Sequence, residues 1–303
     1  MKTCALSFAT LGALFLLGGC GSGGGGMPPV KPAAPDTGLL AGNWLLTASM
    51  PSYAVIAGQP TDFRLAVTFD VAGNVISATG FGNDMCSNGG HLSFGLLTSA
   101  GTVAADGSFT IETPANVPSL RVTIQGSVPH TADAPWSGTY STAISTPLGQ
   151  GCQASSSGSF TATYFPLLKG TYSGSVTGAA FAGSPPTPAP QSIEVSLQQG
   201  GDAASSVTAF RMPRSSILTG SIRVQGSSCF NSGTTDGTDF SNIEGNEIQL
   251  TFAMDDGSTL RLVGSLDDVS ESRIMTTIAT VTGGRCGATT PYGFLVKELD
   301  RQN

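Results

Sequence analysis

Six cysteines, two histidines and a handful of carboxylates are the side chains in this 303-residue chain best suited to chemistry. Cys4 and Cys20 lie in or beside an apolar amino-terminal run, whereas Cys86, Cys152, Cys229 and Cys286 are spread over the rest. No Cys-x-x-Cys or close Cys/His spacing builds a zinc site, so no metal is expected. His91 and His130 are the bases available at neutral pH, and His130 with Asp133 and one of many serines could sketch a Ser-His-Asp set. No Gly-x-Ser-x-Gly elbow accompanies it, so no catalytic residue is assigned. Asp236, Asp239, Asn242, Glu244 and Glu247 offer oxygen ligands, but not at the alternating positions of a calcium loop, and read as a solvated acidic loop. Trp136 and Tyr140 suit either a sugar-stacking platform or an inward-facing strand.

The residues around Cys20 are more specific. Lys2 supplies a basic start, Ala5 to Leu17 form an uncharged apolar run too short to span a bilayer, and Leu17-Gly18-Gly19-Cys20 closes it. This stretch resembles the signal peptide and lipobox of bacterial lipoproteins. The resemblance implies cleavage between Gly19 and Cys20 and a diacylglyceryl group, with a further acyl chain such as palmitate, on Cys20. One acyl chain binds a membrane marginally, at about 0.8 kcal/mol per buried CH₂, so several on one residue make a firm tether. The expected place is the cell envelope, on the outer membrane, facing the periplasm or the surface. A flexible Gly-rich run and then a stiffer spacer with Pro28, Pro29, Pro32 and Pro35 follow, over residues 20–41. Asp36-Thr37-Gly38 in that spacer resembles the aspartic-protease tripeptide, but a second copy, which that chemistry needs, is absent.

Composition narrows the partners. The chain has 13 Lys+Arg against 20 Asp+Glu, a net charge of -7, and loses one more positive charge if Lys2 leaves with the signal. Backbone-phosphate binding needs clustered basic residues, so nucleic acid is not an expected partner. Only 11% of residues are charged while Gly, Ser and Thr abound, which suits short strands and turns better than the exposed faces of helices.

Those strands are visible as alternation. Phe63, Leu65, Val67, Phe69 and Val71 alternate with Arg64, Ala66, Thr68 and Asp70, predicting one buried and one wet face, with a turn at Ala72-Gly73-Asn74 and a return from Val75 to Phe81. Further strands are expected at His91–Leu97, Phe109–Glu112, Leu120–Val128, Ser137–Ile144 and Ser159–Tyr164. The pattern restarts at Gly170 and runs through Ile193–Leu197, Ile222–Val224, Ile248–Met254, Leu260–Leu262, Ile274–Val281 and Tyr292–Leu299. No run has convincing helical periodicity.

The two halves read as copies. Cys86-Ser87-Asn88-Gly89-Gly90 and Cys229-Phe230-Asn231-Ser232-Gly233 share Cys-x-Asn-x-Gly, Ser119-Leu120-Arg121-Val122 parallels Thr259-Leu260-Arg261-Leu262, and each half opens on Gly-x-aromatic at Trp44 or Tyr172. The expectation is an all-β chain: signal peptide 1–19, tether 20–41, two tandem antiparallel β domains at 42–168 and 169–299 from an internal duplication, and a tail at 300–303. An up-and-down barrel is placed ahead of a β-sandwich. The duplication pairs Cys86 with Cys152 and Cys229 with Cys286, each disulfide worth roughly 2–4 kcal/mol. Gly42-Asn43-Trp44 before a meander of strands resembles the opening of lipocalin and avidin-like barrels, which implies a calyx for a small apolar ligand; a filled interior with an ordinary core Trp is the preferred alternative.

Neither motif nor composition fixes a chemistry. The first expectation is a non-enzymatic, cofactor-free envelope module, held at the membrane by lipid on Cys20, that binds or contacts an envelope protein or glycan. A calyx-type carrier comes second and an extracytoplasmic hydrolase last.

Overall fold

The computed structural model describes residues 33–48, 63–85, 91–113, 120–144, 156–179, 190–201, 212–235, 241–267 and 269–302. The expected signal peptide, Cys20, Cys86, Cys152, Asp236, Asp239 and most of the Pro-rich stretch at 183–190 lie outside them. Residues from Ala34 onward form one compact unit.

The fold is all-β, as the alternation and turn chemistry require, and the barrel reading holds over the sandwich. The first barrel contains β1 (Gly42–Ala48), β2 (Phe63–Ala72), β3 (Val75–Met85), β4 (His91–Val103), β5 (Ser108–Glu112), β6 (Leu120–Ser127), β7 (Trp136–Ile144) and β8 (Ser156–Phe165). Each strand pairs antiparallel with the next, and Trp44 on β1 meets Tyr164 on β8 to close the ring.

A three-residue link, Pro166 to Leu168, leads into the second barrel. Its strands are β9 (Lys169–Ala179), β10 (Ser192–Gln199), β11 (Leu218–Gln225), β12 (Ser232–Thr235), β13 (Asn242–Glu244), β14 (Glu247–Met254), β15 (Ser258–Leu266), β16 (Arg273–Gly283), β17 (Ala288–Val296) and β18 (Glu298–Arg301). Closure comes from β9, which pairs with β10 on one side and with β17 and β18 on the other. β12 with β13, and β17 with β18, each fill one strand position in two pieces, so this barrel is also eight-stranded. β18 runs to Arg301, so pairing continues past 299 into the segment expected as a tail.

Eight strands enclose a space about wide enough for side chains to fill. In the first barrel aromatic rings fill it: Trp44 lies edge-on to Trp136 at 5.8 Å and to Tyr164 at 5.1 Å, and Phe63 stacks on Tyr140 at 3.7 Å. Trp136 and Tyr140 are therefore core residues, and of their two readings the inward strand is the one observed. The second interior holds Tyr172, Phe230, Phe252 and Phe294 among aliphatic side chains.

The Gly-x-aromatic openings are equivalent in three dimensions. Gly42 and Gly170 both take positive φ, +118° and +143°, and Trp44 and Tyr172 are both fully buried on the first strand of their barrels. β6 and β15, which carry the paralleled Leu-Arg motifs, are each the sixth strand position of their ring.

Two expectations need correction. The end of the spacer does not hang free: Thr37–Leu40 form a 3-10 turn whose Leu40 is fully buried and accepts a 2.9 Å bond from the Trp44 indole. Asp36 caps that turn by accepting from Gly38 N, which gives the protease-like tripeptide a structural role. The middle of the outer face of β2 is not wet either, since Ala66 and Thr68 are buried while Arg64 and Asp70 at its ends stay partly exposed. The reason is the tight turn at Gly245-Asn246, between β13 and β14, which packs against them: Gly245 N donates to the Thr68 hydroxyl, whose oxygen lies 3.0 Å from Ile243 O. No helix among the described residues is long and apolar enough to cross a membrane.

Candidate functional site

The structure places a concavity of about 480 Å³ on the outside wall of the second barrel, over β9. Strand alternation explains its floor. Tyr172 points inward, so Ser173, Ser175 and Thr177 point out, and these small hydroxyls leave the strand low. Its neighbours stand taller. Register sets Glu194 of β10 beside Ser173 on one side and Asp300 of β18 beside it on the other. Two strand spacings, about 10 Å, separate the carboxylate-bearing backbones. Lys297 and Glu298 extend the second wall.

The charges in and around this groove are partly matched. Arg273 lies 3.2 Å from Asp300 and 3.5 Å from Glu298, Lys297 is 4.0 Å from Glu298, and Arg223 is 4.0 Å from Glu194. Such exposed pairs contribute at most about 1 kcal/mol each and exchange readily for other partners. With hydroxyls below and carboxylates on both walls, the groove can hydrogen-bond and match charge. Among the described residues lining it, His130 is not one.

The residues singled out for chemistry from their types and spacing fall elsewhere. His130 is exposed in the connection between β6 and β7, together with Asp133, which takes a φ of +60°. His91 begins β4, and its side chain is outside the described set. Among the described residues no group of three or more His, Cys, Asp or Glu could hold a metal ion. Asn242, Glu244 and Glu247 sit beside the seam between the barrels, which corrects their reading as parts of a solvated loop. Glu247 receives a 2.6 Å bond from Arg64 of β2, and Asn242 donates to Glu244 at 3.3 Å. Burial, and then the neighbouring Glu247, push the Glu244 carboxyl up to about 7.

Cys229 is buried. Cys286 lies in a single helical turn, α1 (Gly284–Gly287), between β16 and β17. The groove itself is not readable from the sequence, because Ser173, Glu194 and Asp300 come together only through strand register. No protein-family model matches the chain, and comparison with curated proteins and with solved structures finds no match.

Proposed function

We propose that this is a non-enzymatic binding module of the bacterial cell envelope, tethered to the outer membrane by lipid on Cys20 and meeting an envelope protein or glycan through the groove over β9. One observation carries the reading: the inward side chains of both barrels are packed into continuous cores, whereas the concavity is polar and lies on the outer wall. A packed interior supports surface recognition over a calyx, which needs unfilled apolar space. The partner is defined by chemistry alone, and hydroxyls flanked by carboxylates suit a hydroxyl-rich or cationic surface.

The test uses the full chain in bacterial cells. Metabolic labelling with an alkyne fatty acid should mark the protein, and Cys20→Ser should abolish both the label and membrane retention. A photo-crosslinking residue at Ser175 should then give a discrete adduct that one at Val75, exposed on the first barrel, does not. Equal adducts or none at both positions would refute the groove, and retention by Cys20→Ser would refute the anchor. Quenching of Trp44 emission by apolar ligands would favour the carrier instead.

A further inference from the structure

We infer that Cys229 is bonded to Cys286, and that this disulfide bolts a plug formed by Phe230 across one end of the second barrel. In an up-and-down barrel alternate connections emerge at the same end. The connections β11–β12, β14–β15 and β16–β17 therefore share one rim, and the first and last of them carry Cys229 and Cys286. Four strand positions separate them on an eight-strand ring, so a bond between them spans the mouth.

The middle connection holds both cysteine-bearing loops in place. Asp255 accepts from Asn231 N at 3.1 Å and from Ser232 N at 3.2 Å, which fixes the chain just after Cys229. Its neighbour Asp256 accepts from Arg285 N at 2.9 Å, which fixes the residue just before Cys286. Burial pushes the Asp256 carboxyl up, but bonds from Ser258 and Arg285 outweigh it and hold the group below its ordinary value, so the clamp stays charged at neutral pH. Two adjacent carboxylates thus bring together the two loops that carry the sulfurs.

Between them the β11–β12 connection folds inward. Ser227 Oγ accepts from Cys229 N at 3.1 Å, and Phe230, 1% exposed, joins the apolar cluster that fills the barrel. The strand ladder closes without this segment, so the barrel wall does not depend on the bond. A dithiol reductant would attack one sulfur and then close on itself: the S–S bond breaks, both cysteines leave as thiols with two electrons and two protons gained, and the reductant leaves as a cyclic disulfide. The loop would then be held by hydrogen bonds at an exposed rim and by the packing of Phe230 alone, and Phe230 could swing out to uncover apolar interior.

Peptide mapping of the full chain without reduction should give a fragment joining Cys229 to Cys286; a link from Cys229 to Cys86 or Cys152 would overturn the assignment. Cys229→Ser/Cys286→Ser, checked as folded by its strand circular dichroism, should then bind an apolar-surface dye several-fold more strongly than the parent. Phe230→Ala with the bond intact should give an intermediate rise. If the double variant does not fold, mild reduction of the parent gives the same reading. Dye binding unchanged on reduction would overturn the plug while leaving the groove over β9 untouched.

Discussion

Asn43 on β1 and Gln199 on β10 exchange two hydrogen bonds between the barrels, Asn43 Nδ2 donating to Gln199 Oε1 at 2.9 Å and Gln199 Nε2 donating back to Asn43 Oδ1 at 2.8 Å. Gln199 also accepts from Leu168 N at 2.9 Å and donates to Ser215 O at 2.6 Å, while Asn43 accepts from Thr68 Oγ1 at 2.9 Å. Asn43 is fully buried and Gln199 is 7% exposed, so removing one amide takes a donor and an acceptor from the other where water cannot replace them. Asn43→Leu or Gln199→Leu should each destabilise the protein by about 1–3 kcal/mol. The double variant should cost less than the two singles together, a coupling that urea denaturation of all four proteins would measure.

The same seam depends on a glycine. Gly245 has a φ of +58°, and a Cβ there would lie 2.7 Å from Val67 N, inside the wall of the first barrel. Gly73, in the turn between β2 and β3, has a φ of +65° and open space around it. Gly73→Ala should therefore cost only the backbone penalty, about 1–2 kcal/mol. Gly245→Ala should lower the melting temperature clearly more, because the turn must also retreat from Val67. Equal melting shifts would mean that the barrels are not held by this contact.

Inside the first barrel Phe63 is fully buried against the Tyr140 ring. Phe63→Ala would leave a cavity that rings on rigid strands cannot collapse into, and should cost about 3–5 kcal/mol in chemical denaturation.

The sequence made the inward faces legible because strand alternation is local: Phe63, Leu65, Val67 and Phe69 face the core as their spacing requires. It could not show that Ala66 and Thr68, on the opposite face, are buried too, since what covers them is a turn near residue 245. The groove was hidden for the same reason. Ser173, Glu194 and Asp300 look like ordinary surface residues until register lines them up across three strands. The repeated Gly-x-aromatic motif was readable because Gly42 and Gly170 meet the same local backbone demand at the start of each barrel.

Glu244 makes stability at the seam depend on pH. It faces Glu247 directly across the β13–β14 pair, and Glu247 is itself held by Arg64. Burial first, and then the Glu247 charge, raise the Glu244 carboxyl from 4.5 to about 7. The folded protein therefore holds a proton there that the unfolded chain has released. A group raised on folding contributes its full stability below the unfolded value and loses it as pH climbs through the folded one. Stability from this site should thus fall between about pH 4.5 and pH 7, opposite in sign to the usual salt-bridged carboxylate. Glu244→Gln mimics the protonated form and should flatten that part of the profile, with its largest gain over the parent at and above about pH 7. Urea midpoints across this range would check it, and an unchanged slope in Glu244→Gln would show that Glu244 is ionised in the folded state.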